Sequence, residues 1–153
     1  MTRITFEILG RAEPSGSKRA FVVPGTGRAS VVDANPRAKS WKQEVRHAAS
    51  QAYDAERHGL LDGALRVSFV FAMTRPKSHF RTGKNAHLLR DAAPVFPVGK
   101  PDLLKLARAV EDALTGVIYR DDAQIVVEEL RKEYGDTART VVSVNTADSV
   151  DEC

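Results

Sequence analysis

The 153 residues, 42% hydrophobic and 28% charged, suit one globular domain with its own core, and no apolar run approaches the ~20 residues that a membrane-crossing helix needs. The opening MTRITFEILGRAEP lacks the pattern of a secretion signal, so a cytoplasmic location is expected, and the single cysteine, Cys153, excludes an internal disulfide framework and a multi-cysteine zinc site. Net charge is only +3, yet the chain up to Lys100 carries 17 Lys and Arg against 8 Asp and Glu while the remainder carries 6 against 12, a segregation that fits either a polyanion-binding surface beside a carboxylate cluster or ordinary solvated charge.

In chain order, Ile4, Phe6 and Ile8 alternate with polar residues and predict a half-buried first strand. Ala20 to Val23 and Ala29 to Val32 flank Pro24-Gly25-Thr26-Gly27-Arg28, the pattern of a hairpin. Ser40 is placed to cap a helix in which Trp41, Val45, Ala48, Ala49 and Ala52 recur at helical spacing, with His58-Gly59 as its end. Leu65, Val67, Phe69, Phe71 and Met73 then mark a strong strand, and Val70 on its other side predicts a helix over that face too. From Thr74 to Gly99 the periodicity disappears into a long loop rich in basic residues, with Asp91 its sole acid.

Asp102 stands at the N-cap of a helix running to about Thr115 and stopped by Gly116, with Leu103, Leu106, Ala107, Val110, Ala113 and Leu114 as its buried stripe. Leu104 falls off that stripe, in line with Arg108 and Glu111, where a polar residue is the ordinary choice. Tyr119 to Gln124 lead into a strand through Ile125, Val126 and Val127, and Thr140 to Val144 predict the last strand. The order gives a single α/β (α+β) domain over residues 1–146, a mixed β-sheet with helices packed on it, followed by a polar tail, Ala147 to Cys153.

Gly16-Ser17-Lys18 lacks the earlier glycine of a nucleotide-binding loop, and His47, His58, His79 and His87 show no zinc-site spacing. Aspartates brought together from a helix start and a neighbouring strand can hold cations of the kind that assist phosphodiester cleavage. In Asp121-Asp122 adjacent strand residues point to opposite sides, so one of the two enters such a site.

The run KPDLLKLARAVEDALTGVIYRDDAQIVVEELRKEYG, Lys100 to Gly135, resembles the signature region of the RusA-type Holliday junction resolvases, K-P-D-x-D-N/K-L-x-K/R-A-x-x-D-A-L-x-G followed by D-D-x-Q. The resemblance implies a RusA-like fold and a homodimeric endonuclease, dependent on Mg²⁺ or Mn²⁺, that cuts four-way DNA junctions in recombination and repair. Such enzymes are often phage-encoded and work in the bacterial cytoplasm or nucleoid. By position, Asp102 and Asp122 become metal-binding acids, Asp121 a supporting one, and Arg108 the catalytic lysine or arginine. Leu104 replaces the family's second aspartate, and a leucine has no oxygen to offer a hard cation.

Arg75, Lys77, Arg81, Lys84, Arg90 and Lys100 are the expected DNA-backbone contacts. Each feature also has a plainer reading: Asp102 as a helix cap, Asp121-Asp122 as a turn, Arg108 paired with Glu111 or Asp112, and the basic loop as a solvated surface. At the level of function the alternatives are a weak or inactive junction-binding protein and a general nucleic-acid-binding phage protein.

Overall fold

The computed structural model describes residues 1–147; the rest of the expected tail, with Cys153, lies outside the described residues. Strands β1 (Arg3–Leu9), β4 (Leu65–Met73), β5 (Ile125–Tyr134) and β6 (Arg139–Thr146) form one sheet in the order β1-β6-β4-β5. β1 and β4 run antiparallel to β6, and β4 runs parallel to β5. A parallel neighbour requires a crossover, which here contains α3 (Leu103–Leu114). The remaining elements are the hairpin β2 (Lys18–Val22) and β3 (Ala29–Asp33), helix α1 (Ala38–Ala52) and the single turn α2 (Ala55–His58).

One face of the sheet carries the core. Ile4, Ile8, Leu65, Val67, Phe69, Phe71, Val142 and Val144 meet Trp41, Val45 and Ala49 of α1 and the α3 stripe, with Leu106, Val110 and Leu114 fully enclosed. α1 lies against both α3 and β1, so the two helices share this face. Val70 points to the other face, where it is half-buried and no helix of the described residues covers it. The second helical layer expected there is absent, and that face is lined instead by short polar side chains such as Thr5 and Ser143, whose hydroxyls lie 3.1 Å apart. An antiparallel arrangement tolerates one solvated face, which the apolar side chain of Val70 alone does not reveal.

The first helix also differs from its expected form. It begins at Ala38, without a side-chain cap, and Ser40 sits inside its first turn, where its hydroxyl donates to the Arg37 carbonyl at 3.2 Å. It ends at Ala52, and Asp54 then caps α2 by accepting from the Arg57 N–H at 3.0 Å. Gly59, at φ +76°, ends that turn in a conformation that disfavours side chains.

β5 is far longer than Ile125 to Val127, since as an edge strand it needs only one neighbour and carries charge along its length. The β4–β5 register shifts between Leu65 and Arg66, so that Leu65 faces Ile125 but Val67 faces Glu128. This irregularity turns Glu128, Leu130, Lys132 and Tyr134 toward the helical side. Phe69 is fully buried on the middle of β4. Phe69→Ala should lose about 3–5 kcal/mol of stability, the usual cost of removing a core aromatic, and urea unfolding monitored by circular dichroism measures it.

Candidate active site

The Lys100–Pro101 bond is cis, and the segment before α3 is tied to β5 by Lys132, whose ammonium donates to the carbonyls of Gly99 at 2.7 Å and Pro101 at 3.1 Å. Asp102 occupies the N-cap position, where its carbonyl accepts from the Leu106 N–H at 3.1 Å, but its carboxylate makes no capping hydrogen bond. Its nearest cation is the Lys105 ammonium, 3.7 Å away and well exposed. The cap position is thus filled by backbone geometry, leaving the carboxylate exposed.

The α3 stripe is buried as its spacing predicts, while Leu104 is 72% exposed. Arg108, on the same outer side, makes no ion pair among the described residues, and Asp112 pairs with Lys42 of α1 at 3.1 Å. At the other end of α3 the Arg46 guanidinium donates to the carbonyls of Ala113 and Thr115, at 3.2 and 3.3 Å, which satisfies acceptors that a helix end leaves open.

The Asp-Asp-x-Gln segment is a short 3₁₀ helix, Asp122–Gln124, and not the strand start that the alternation argument assumed. Asp121 caps it by accepting from the Ala123 N–H at 2.8 Å, while the Gln124 side-chain carbonyl accepts from the backbone N–H groups of Arg120 and Asp121, at 2.9 and 3.1 Å. The Gln124 amide in turn donates to the carbonyls of Leu61 and Gly63. These two residues fix the turn, and Asp122 is left exposed with no side-chain hydrogen bond among the described residues.

Asp122 belongs to an acidic group that sequence reasoning missed. Burial, a side-chain hydrogen bond with Glu128 and the charges of Glu128, Asp122 and Asp112 push the Glu111 carboxyl up to about 8. Burial and neighbouring negative charge both disfavour the ionised form of Glu111, so it holds its proton well above the usual carboxylate range. Burial and the charges of Glu111, Asp122 and Asp112 likewise push the Tyr119 phenol upward, and its hydroxyl donates to the Glu111 carbonyl at 3.1 Å. In the sequence Glu111 stands out only as a possible partner of Arg108, and no sequence signal reveals Glu128, since the register shift alone turns it toward α3.

Asp102 and Asp122 therefore stand near different ends of α3, a helix about 18 Å long at ~1.5 Å per residue. Asp102 begins it, whereas the carboxylate partner of Asp122, Glu111, lies in its last turn. Among the described residues no group of three or more His, Cys, Asp or Glu side chains is placed to hold a metal ion. With Leu104 offering no oxygen, the described side chains of a single chain do not fit a complete Mg²⁺ or Mn²⁺ cage.

The expected DNA-binding residues divide into two sets. Arg75 donates to the Pro94 carbonyl at 2.7 Å and lies 4.2 Å from the centre of the Tyr134 ring. Arg81 bonds the Leu89 carbonyl and Asp91, both at 3.2 Å, and Arg90 bonds the Phe80 carbonyl at 2.8 Å. These three arginines hold the long loop together, helped by a Phe80–Leu89 bridge. Lys77, Lys84 and Lys100 are exposed and make no ion pair among the described residues.

The raised pKa of Glu111 has a definite sign. A carboxyl that binds its proton more tightly when folded favours the folded state at low pH, and this contribution is lost as pH rises from about 4.5 toward 8. In EDTA, melting temperature should therefore fall over that window, and Glu111→Gln should flatten the fall and raise the melting temperature at pH 8. A pH series of thermal melts on both proteins reads this directly.

The sequence matches the family described as Endodeoxyribonuclease RusA over residues 12–145. It is also 26% identical over 144 residues to a Bacillus subtilis (strain 168) protein named "Uncharacterized protein YqaN", an alignment covering 94% of this chain and 96% of that protein. The match to the family extends from the loop after β1 through almost all of β6. The chain belongs to the RusA endodeoxyribonuclease family.

Proposed function

We propose that this chain binds four-way DNA junctions as a homodimer, and that Leu104 weakens the Mg²⁺- or Mn²⁺-dependent cleavage associated with the family. The observation that carries this reading is Leu104 itself, exposed on the outer side of α3 between a carboxylate that makes no capping hydrogen bond and an arginine without an ion pair among the described residues. An exposed leucine there has no packing role, and it removes one negative ligand from a site that needs several oxygens.

In this reading Asp102 and Asp122 are the acids of the reaction, contributed to one site by different chains of the homodimer because within a chain they stand near different ends of α3, and Arg108 contacts the phosphate that is cut, where a guanidinium suits the charge that builds on phosphoryl oxygens. Asp121 and Gln124 position Asp122. Lys77, Lys84 and Lys100 meet the DNA backbone, while Arg75, Arg81 and Arg90 support the loop that presents the first two. Two chains related by a two-fold axis match a junction whose arms are nearly symmetric.

The test is cleavage of a synthetic four-way junction in Mg²⁺ or Mn²⁺ at low salt, after binding has been confirmed by gel shift. This chain should bind and cut slowly, and Leu104→Asp should raise the rate about 100-fold, the scale of restoring one group that stabilises developing charge. Rapid cleavage by the unaltered chain would remove the role given to Leu104. No cleavage by either protein would sink the nuclease reading, and equal affinity for duplex and junction would mark a general nucleic-acid binder.

A further inference from the structure

Gly16-Ser17-Lys18 does not form a nucleotide-binding loop, for it leads into strand β2 and not into a helix. It does form one wall of a cavity of about 310 Å³ whose other wall is the outer side of α3. The loop is fixed at both ends. The Ser15 N–H donates to the Lys105 carbonyl of α3 at 2.9 Å, and one carboxylate oxygen of Asp33 accepts from the N–H groups of Gly16 and Asn35, at 2.7 and 2.9 Å. A side chain at position 16 would bring its Cβ within 2.6 Å of the Asn35 nitrogen, so only glycine permits this approach.

The charges lining the cavity do not balance. Four cations, Lys18, Lys42, Lys105 and Arg108, line it with two carboxylates, Asp33, which keeps its charge while one oxygen accepts from two backbone donors, and Asp112, which pairs with Lys42. Lys18 and Arg108 have no ion pair among the described residues, and Lys105 has only the long contact to Asp102. Ser15 also lines the cavity at 6% exposure, and its buried hydroxyl has no hydrogen-bond partner among the described residues. A buried hydroxyl without a partner is costly, and an arriving acceptor would relieve that cost.

We infer that this cavity is a phosphate-binding site for the DNA backbone, formed by Ser15, Lys18, Lys105 and Arg108, which holds a phosphate neighbouring the one that is cut. The inference rests on the junction-binding reading and extends it, because it brings the loop between β1 and β2 into the interface. Arg108 is shared between the two, so a strand running along α3 would meet the cavity and the acidic residues in succession.

Three variants test it by junction binding at salt concentrations from about 50 to 200 mM, where each phosphate contact contributes about 0.9 to the slope of log affinity against log salt. Lys18→Gln should reduce the slope by about one contact, while Arg57→Gln, on the exposed surface of α2, should leave it unchanged. Ser15→Ala should weaken binding about tenfold, as expected for losing a hydrogen bond to a charged group, yet melt no lower than the unaltered protein. A serine with a purely structural role would not separate affinity from stability in this way.

If the unaltered chain binds junctions and the Lys18 and Ser15 variants match it, the cavity assignment is overturned while the junction reading stands. If the chain binds no junction, the junction reading fails, and titration with inorganic phosphate decides the cavity by nuclear magnetic resonance. Shifts confined to the amides of Gly16, Ser17 and Lys18 would support an anion site independent of DNA, and unmoved amides would overturn it.

Discussion

Everything at the candidate site depends on the burial of one side of α3 against α1 and the sheet. Leu106, Val110 and Leu114 are fully enclosed there, and each buried leucine or valine contributes roughly 1.5–3 kcal/mol relative to exposure. Rotating the helix enough to bury Leu104 would expose part of that stripe, at several times the gain. The core thus dictates that position 104 and Arg108 look outward, whatever residues occupy them, while Glu111 lies half-buried beside Glu128. The crossover from β4 to β5 then fixes the rest, since it brings the 3₁₀ turn of Asp122 back to the end of the same helix.

Much of this was legible in the sequence because it follows from period and punctuation. The α3 stripe, β4 and the β2–β3 hairpin come directly from apolar spacing and turn residues, and the outward position of Leu104 comes from the same count. What remained illegible depends on contacts between distant segments. Arg75, Arg81 and Arg90 look identical in type to Lys77 and Lys84, but guanidinium groups reach several carbonyls at once, and only the folded loop reveals those acceptors. Val70 illustrates the converse, an apolar side chain on a face left partly to water.

The acidic end of α3 was hidden for a different reason. Alternation counted along β5 from Ile125 would send Glu128 away from the helices, and the irregularity beside Leu65 reverses that assignment. A single extra residue in the ladder thereby creates the Glu111–Glu128 pair and the electrostatic setting of Asp122. Lys132, brought to the helical side by the same shift, ties down the segment that carries Asp102. One local departure from regular pairing influences both ends of the site.

Leu104 has a further meaning for how such a chain changes over generations. Its side chain is in water, so exchanging it alters little of the energy that holds the fold together, and an acid in the first turn even agrees with the helix dipole. Cellular quality control recognises unfolded chains and has no means of sensing which residue stands here. On the proposed reading, chemistry at this position can drift away or return with little change in fold stability, so selection on the reaction, and not on folding, is what would hold an aspartate in place.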